Sequence, residues 1–274
     1  MKFLKRFSYV YSVLIFLFLY APIVVLIAFS FNSEKSRAKW GGFTFDWYQE
    51  LFRDTEIVGA LTTTLTIAVL SSVIAVIIGT MAAIGIQAMR RKMKKLYMNV
   101  TYLPMLNADI VTGVSLLLIF TVIGIKLGYL SLLIAHVTFN IPYVIFSVMP
   151  KLRQLDPNLY EAAQDLGAPP VRAFFKAVLP EISPGIVTGF LLAFTMSIDD
   201  FVISFFTTGS GVSTLSIVIY SMARRGIKPE INALSALMFI TVLTLLLIIN
   251  LRSSKDQKGS DERSVSARAR SSSR

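Results

Sequence analysis

Three carboxylates interrupt the long apolar runs of this 274-residue chain: Asp109 in "LNADIVTG", and Asp199 with Asp200 in "SIDDFVIS". A carboxylate at the centre of a membrane helix costs about 2.5–3.5 kcal/mol on insertion scales, so acids at such positions are site candidates by default. The chemistry open to them is electrostatic. A cation that sheds its water near the bilayer centre needs compensating negative charge. Phe201, next to the pair, and the nearby Phe205 and Phe206 add aromatic faces for cation–π contact. The structural alternatives are a cap or interhelical hydrogen bond for Asp109, and a packing contact near the outer mouth for the pair. No catalytic residue and no metal site is expected. The chain has no cysteine, which excludes disulfides and thiolate sites. Its single histidine, His136, lies in an apolar run, where a helix–helix hydrogen bond is the expected role.

The elements that must hold these acids are membrane spans. With 54% hydrophobic residues, the chain reads as an all-α integral membrane protein. A span takes about 20 apolar residues, and six are expected, at 9–30, 61–87, 101–122, 129–149, 185–207 and 232–251. The first follows "MKFLKR" and is too long for a signal peptide's apolar core, so it reads as a spanning anchor. With both termini on one side, that side collects 19 of the 27 Lys and Arg, including the cluster Arg90, Arg91, Lys92, Lys94 and Lys95. Both termini are therefore expected in the cytoplasm. The cluster reads as a topology and headgroup anchor, and lipid rather than nucleic acid is the expected partner of the +11 net charge. Asp109 should lie roughly 13–20 Å into its span and Asp199 roughly 21 Å into its own, close enough in depth to border one pathway. Neighbouring helix residues point about 100° apart, so Asp199 and Asp200 cannot both face one pore axis unless the helix breaks there. The outer loop should hold a short amphipathic helix from about Trp47 to Phe52. The Ser- and Arg-rich tail, 252–274, reads as disordered. Gly185 and Gly189 form a GxxxG for close helix packing, and Gly79, Gly85, Ala82 and Ala83 read the same way.

One cytoplasmic segment, within the loop 150–184, is too structured for a simple connector: "LYEAAQDLGAPPVRAFFKAVLPEISPG", residues 159–185. It reads as helix–turn–helix. Asp156 suits an N-cap, Pro157 a first helical position, Gly167 a C-terminal stop, and Pro169–Pro170 a new start. The second helix should end near Pro180. Each helix carries an apolar stripe: Leu159, Ala162, Ala163, Leu166, and then Val171, Phe174, Phe175, Val178. The stripes either pack on this chain's own spans or enter a groove on a partner.

Glu161-Ala162-Ala163, then Gly167, then Leu179-Pro180 resembles the EAA loop of ABC-importer permeases. The resemblance implies that these residues, with Phe174 and Phe175, dock into a cleft on a cytoplasmic ATPase. The sequence has no glycine followed by lysine, hence no P-loop of its own. The chain is not expected to be an enzyme or to bind a cofactor; ATP and Mg belong to the partner. Over nearly its full length up to the tail, through "GGFTFDWYQELF", "ADIVTGVSLLLIF", "SIDDFVISFFTTG" and "IYSMARRGIKPEINALS", the chain is similar to the second permease subunit of spermidine/putrescine importers. That implies the type I importer permease fold in a bacterial inner membrane. It also implies a homologous permease partner, two ATPase subunits and an external polyamine-binding protein. Arg224, Arg225, Lys228 and Glu230 are candidates for touching that protein, or form a solvated loop. The rivals are an ABC permease for thiamine, ferric iron or phosphonate, an ion-coupled secondary transporter, and a scaffold that transports nothing.

Overall fold

A computed structural model describes residues 2–35, 39–225, 229–241 and 243–244. The expected tail at 252–274 and the end of the expected sixth span lie outside the described residues. The chain forms two compact units, 1–54 with 225–274, and 55–224.

In the first unit, α1 (Lys2–Phe29) leads to a tight loop. Ser33 N–H donates to the Gly42 carbonyl (3.0 Å) and Thr44 N–H to that of Phe31 (2.8 Å). The amphipathic helix expected near Trp47 is α2 (Asp46–Arg53), and it buries Trp47 and Leu51, one turn apart. The Trp47 indole N–H donates to the Asn32 carbonyl at 2.6 Å, which ties helix to loop.

The second unit contains α3 (Thr55–Ala88), α4 (Arg91–Leu106), α5 (Asp109–Ile123), α6 (Tyr129–Gln154), α7 (Leu159–Asp165), α8 (Pro170–Ala173), α9 (Leu179–Asp199), α10 (Val202–Thr207) and α11 (Leu215–Arg225). A further helix, α12 (Glu230–Thr241), belongs to the first unit. Four stretches are long and apolar enough to cross a membrane: Tyr9–Phe29, Thr55–Ala88, Tyr129–Gln154 and Pro170–Asp199. Counting the bent pair α4 and α5 as one broken span brings the number to five.

Helices α3, α6 and α9 pack against one another around Ala75, Ala83, Val144, Val148, Ile182 and Ala193. Small residues let the backbones close. A Cβ on Gly185 would meet the Ser147 carbonyl oxygen at 2.9 Å, and one on Gly189 the Val144 Cα at 3.3 Å. A Cβ on Gly79 would meet Val144 at 2.8 Å. The expected packing role holds at these three positions but not at Gly85, which faces open space.

The structure departs from the expected helices in three places, one of them the break at Asp200 inside the span expected at 185–207. The span expected at 101–122 is not continuous, because α4 and α5 meet at 102°. Asn107 and Ala108 between them are extended. Asn is a weak helix former, and Pro104 has already removed one rung of the ladder. The basic cluster expected in a loop is thereby the first turns of α4. Third, the helix begun at Pro170 does not stop near Pro180. It passes through a π-helical turn at Phe174–Val178 and continues as α9. Leu179 N–H bonds five residues back to Phe174, so the ladder has shifted register before Pro180, which has no N–H to give. Further on, Pro184 leaves the Pro180 carbonyl without a backbone donor, and the Ser183 hydroxyl donates to it at 2.8 Å.

Candidate functional site: an acidic cleft at two helix breaks

Both acid-bearing stretches lie at helix breaks. Asp109 opens α5, where its charge meets the positive end of the helix dipole, although no side chain caps that helix. Asp199 closes α9, and Asp200 is extended, with ψ of 125°. The geometric conflict between adjacent acids is resolved by the broken helix. Asp200 turns to its own chain: its carboxylate accepts Ile203 N–H at 3.2 Å and Ser204 N–H at 2.7 Å. It thus caps α10.

Asp109 and Asp199 are exposed, and Asp200 is partly buried. All three line one cleft of about 410 Å³, together with Phe201, Tyr143 and Phe139. No Lys or Arg is among the lining residues. Phe201 packs against Tyr220 at a tilt of 39° with ring centroids 4.5 Å apart, and the Arg224 guanidinium stands 5.3 Å over the far partner of that pair, Tyr220. Lys228, named with Arg224 as a contact candidate, lies outside the described residues. The cleft offers carboxylates and aromatic faces with no internal counter-cation, an arrangement suited to an organic cation. The four residues singled out in sequence, Asp109, Asp199, Asp200 and Phe201, are brought together here. Tyr143 and Phe139 were not anticipated. A usable signal was present: His136, Asn140 and Tyr143 recur at i, i+4 and i+7 in an otherwise apolar span.

The second constellation is the segment 155–180. Asp156 does not cap α7 directly; its carboxylate accepts Asn158 N–H at 2.9 Å, an Asx turn that delays the helix start to Leu159. Glu161, Ala162 and Ala163 lie on α7, none of whose residues is buried. Gly167 takes a φ of +84°. Its N–H donates to the Gln164 carbonyl (2.8 Å) and Ala168 N–H to that of Ala163 (3.2 Å), completing a Schellman stop. Pro170 then opens α8.

The two apolar stripes are largely uncovered by this chain. Leu166 is 90% exposed, Val171 69% and Phe175 57%, while Val178 is buried. Phe174 and Phe175 meet edge to face, 5.4 Å between centroids. Both line an apolar groove of about 710 Å³ with Ile84, Leu152, Leu155 and Tyr160. Leu179 and Pro180 begin α9, following Val178 of the groove's lining in the chain.

Comparison with known proteins fits this arrangement. The chain is 38% identical over 242 residues to the spermidine/putrescine transport system permease protein PotC of Haemophilus influenzae, covering 88% of this chain and 94% of that one. It is 42% identical over 229 residues to the putrescine transport system permease protein PotI of Escherichia coli, covering 81% and 82%. Among solved structures, a bacterial ABC transporter involved in the import of the acidic polysaccharide alginate shares the fold. The TM-score is 0.67 at 13% identity, over 91% of this chain and 96% of that one. Residues 75–253 match the model of the binding-protein-dependent transport system inner membrane component. This chain, with its several apolar spans and its broken helices around an acidic cleft, belongs to that family of transport permeases.

Proposed function

We propose that the chain is one permease subunit of an ATP-driven importer of polyamines such as spermidine and putrescine. The observation that carries the substrate class is the cleft: two exposed carboxylates and aromatic faces, with no lining cation. The relatives named above, permeases of spermidine/putrescine and putrescine systems, support the same substrate. In this reading the six-span subunit lies in a bacterial inner membrane with both termini in the cytoplasm. It pairs with a homologous permease, and an external binding protein delivers the polyamine to the outer mouth. Asp109 and Asp199 meet successive ammonium groups, Phe201 packs on the methylene chain, and Asp200 holds the α9–α10 break in shape.

The chain hydrolyses nothing. Two ATPase subunits bind ATP and Mg, and one of them receives Glu161, Ala162, Ala163 and Gly167 with the exposed faces of Phe174 and Phe175. Leu179 and Pro180 join this knob to α9, so displacement of the knob is transmitted to the acid at the other end of that helix. ATP must bind one state of the assembly better than the other for the motion to be driven.

The test is spermidine uptake by proteoliposomes holding the complete transporter. Asp109→Asn and Asp199→Asn should each raise the KM about tenfold, the effect expected of one partly desolvated charge pair, with assembly unchanged. Unchanged KM in both variants would remove the polyamine assignment. Uptake without ATP would favour an ion-coupled carrier.

A further inference from the structure

His136 is 1% exposed and stands on α6 opposite the break between α9 and α10. Its Nδ1 lies 2.6 Å from Ser197 Oγ, just before the break. Its Nε2 lies 3.0 Å from Ser204 Oγ, just after it, and 3.7 Å from Asp200 Oδ2. One ring therefore clasps both sides of a backbone that has left its helical ladder, and Asp199 and Asp200 sit between the two clasped serines.

The hydrogen-bond directions are mutually consistent. A neutral imidazole offers one donor and one acceptor. The neighbouring Asp200 carboxylate favours the proton on Nε2, which donates to Ser204. Nδ1 then accepts from the Ser197 hydroxyl. Ser197 Oγ lies 3.3 Å from Ser71 Oγ on α3, and Asn140 Nδ2 donates to Ser71 at 3.4 Å. Ser197 and His136 thus donate in one direction, toward Ser204 beside the acid, while the Ser71 hydroxyl has both Ser197 Oγ and the Ala68 carbonyl (3.4 Å) within reach. The network joins α3, α6, α9 and α10, and Asn140, Ser71, Ser197 and Ser204 are all buried. Cap bonds to Asp200 shape the start of α10; Ser131 Oγ, donating to the Thr207 carbonyl at 2.7 Å, and packing on α5 hold α10 from its other sides, and the histidine adds a tie to both α9 and α10 across the break.

We infer that His136 is a positioning residue for substrate: it holds the two helix segments so that the Asp199 carboxylate faces the cleft. This rests on the assignment of that cleft as the polyamine site.

The test is a double-mutant cycle on spermidine uptake by the reconstituted complete transporter. His136→Leu should raise the KM about tenfold, within the range for residues of one hydrogen-bond network. In an Asp199→Asn background the same substitution should change the KM little, because the group being positioned is gone. Ser204→Ala removes one hydroxyl and little bulk while keeping the Ser204 N–H bond to Asp200. It serves as the second variant should His136→Leu fail to assemble, and should follow the same pattern. His136→Gln, whose amide reaches toward the Nε2 position, should recover part of the loss. A KM unchanged by His136→Leu and Ser204→Ala while Asp199→Asn raises it would overturn the clasp and leave the cleft assignment standing. So would an equal KM rise in both backgrounds, which marks a general structural role. A KM unchanged by Asp199→Asn would overturn the clasp, and unchanged as well by Asp109→Asn would overturn the cleft assignment with it.

Discussion

Asp200 and Asp199 are neighbours of identical chemistry, yet the structure gives them different work, and substitution should separate them. Asp200→Ala removes the acceptor of two N–H groups, held at 3.2 and 2.7 Å, from a partly buried helix start. Loss of a cap costs about 0.5–2 kcal/mol, and a donor left without a partner about 1–3 kcal/mol where it is buried. The two figures describe the same N–H groups, and the expected cost is about 2 kcal/mol. Asn caps as well as Asp, so Asp200→Asn should lose only the charge–dipole part, about 0.3–1 kcal/mol. Thermal unfolding of detergent-solubilised transporter, followed by size exclusion, should show a drop of roughly 5 °C or more for Asp200→Ala. The drop for Asp200→Asn should be no more than about 4 °C, at about 2–4 °C per kcal/mol. Asp200→Asn should keep its KM for spermidine within about twofold, the free carboxylates being elsewhere. An Asp200→Ala protein as stable as wild type would refute the cap. Equal destabilisation by Ala and Asn would show that charge, not the cap bonds, is what matters.

Gly185→Val forces a Cβ to within 2.9 Å of the Ser147 carbonyl oxygen; overpacking of this kind costs about 1–3 kcal/mol, read as a lower Tm and a lower yield of assembled complex. Gly167→Val places a β-branched residue at φ +84°, at a cost of about 1–3 kcal/mol. Because α7 buries nothing of its own, the loss should show as failed ATPase co-purification before any global unfolding. Leu166→Asp alters a side chain that is 90% exposed, so Tm should hold within about 2 °C while ATPase association and ATP-dependent uptake both fall; intact association would remove Leu166 from the docking face.

Local chemistry in the cytoplasmic segment was legible because it is self-contained. Gly167 and Pro170 act on their own backbone, so stop and restart could be read from residue type. The Asp199–Asp200 break was foreseen only as one of two solutions. The local part of the break is the Asp200 carboxylate, which accepts Ile203 and Ser204 N–H; the part that sequence does not show is the bridge from His136, remote in the chain, to Ser197 and Ser204. The bend after Leu106 was missed because hydropathy continues through it, and a sliding count of apolar residues cannot see a direction change. The continuation past Pro180 was missed for a different reason. Proline normally ends a helix, but a π-helical turn had already moved the missing donor out of register. Gly85 was misassigned because small size licenses close packing only where another helix arrives.

The central claim is that a polycation passes between Asp109 and Asp199. Its most direct test is photolabelling: a photoreactive spermidine analogue, applied to the reconstituted transporter and mapped by mass spectrometry. Label should appear in the segments around Asp109 and around Met196–Ile203, and should disappear with excess unlabelled spermidine. Label that competes with spermidine but falls only on other segments, with both of these bare, would contradict the account.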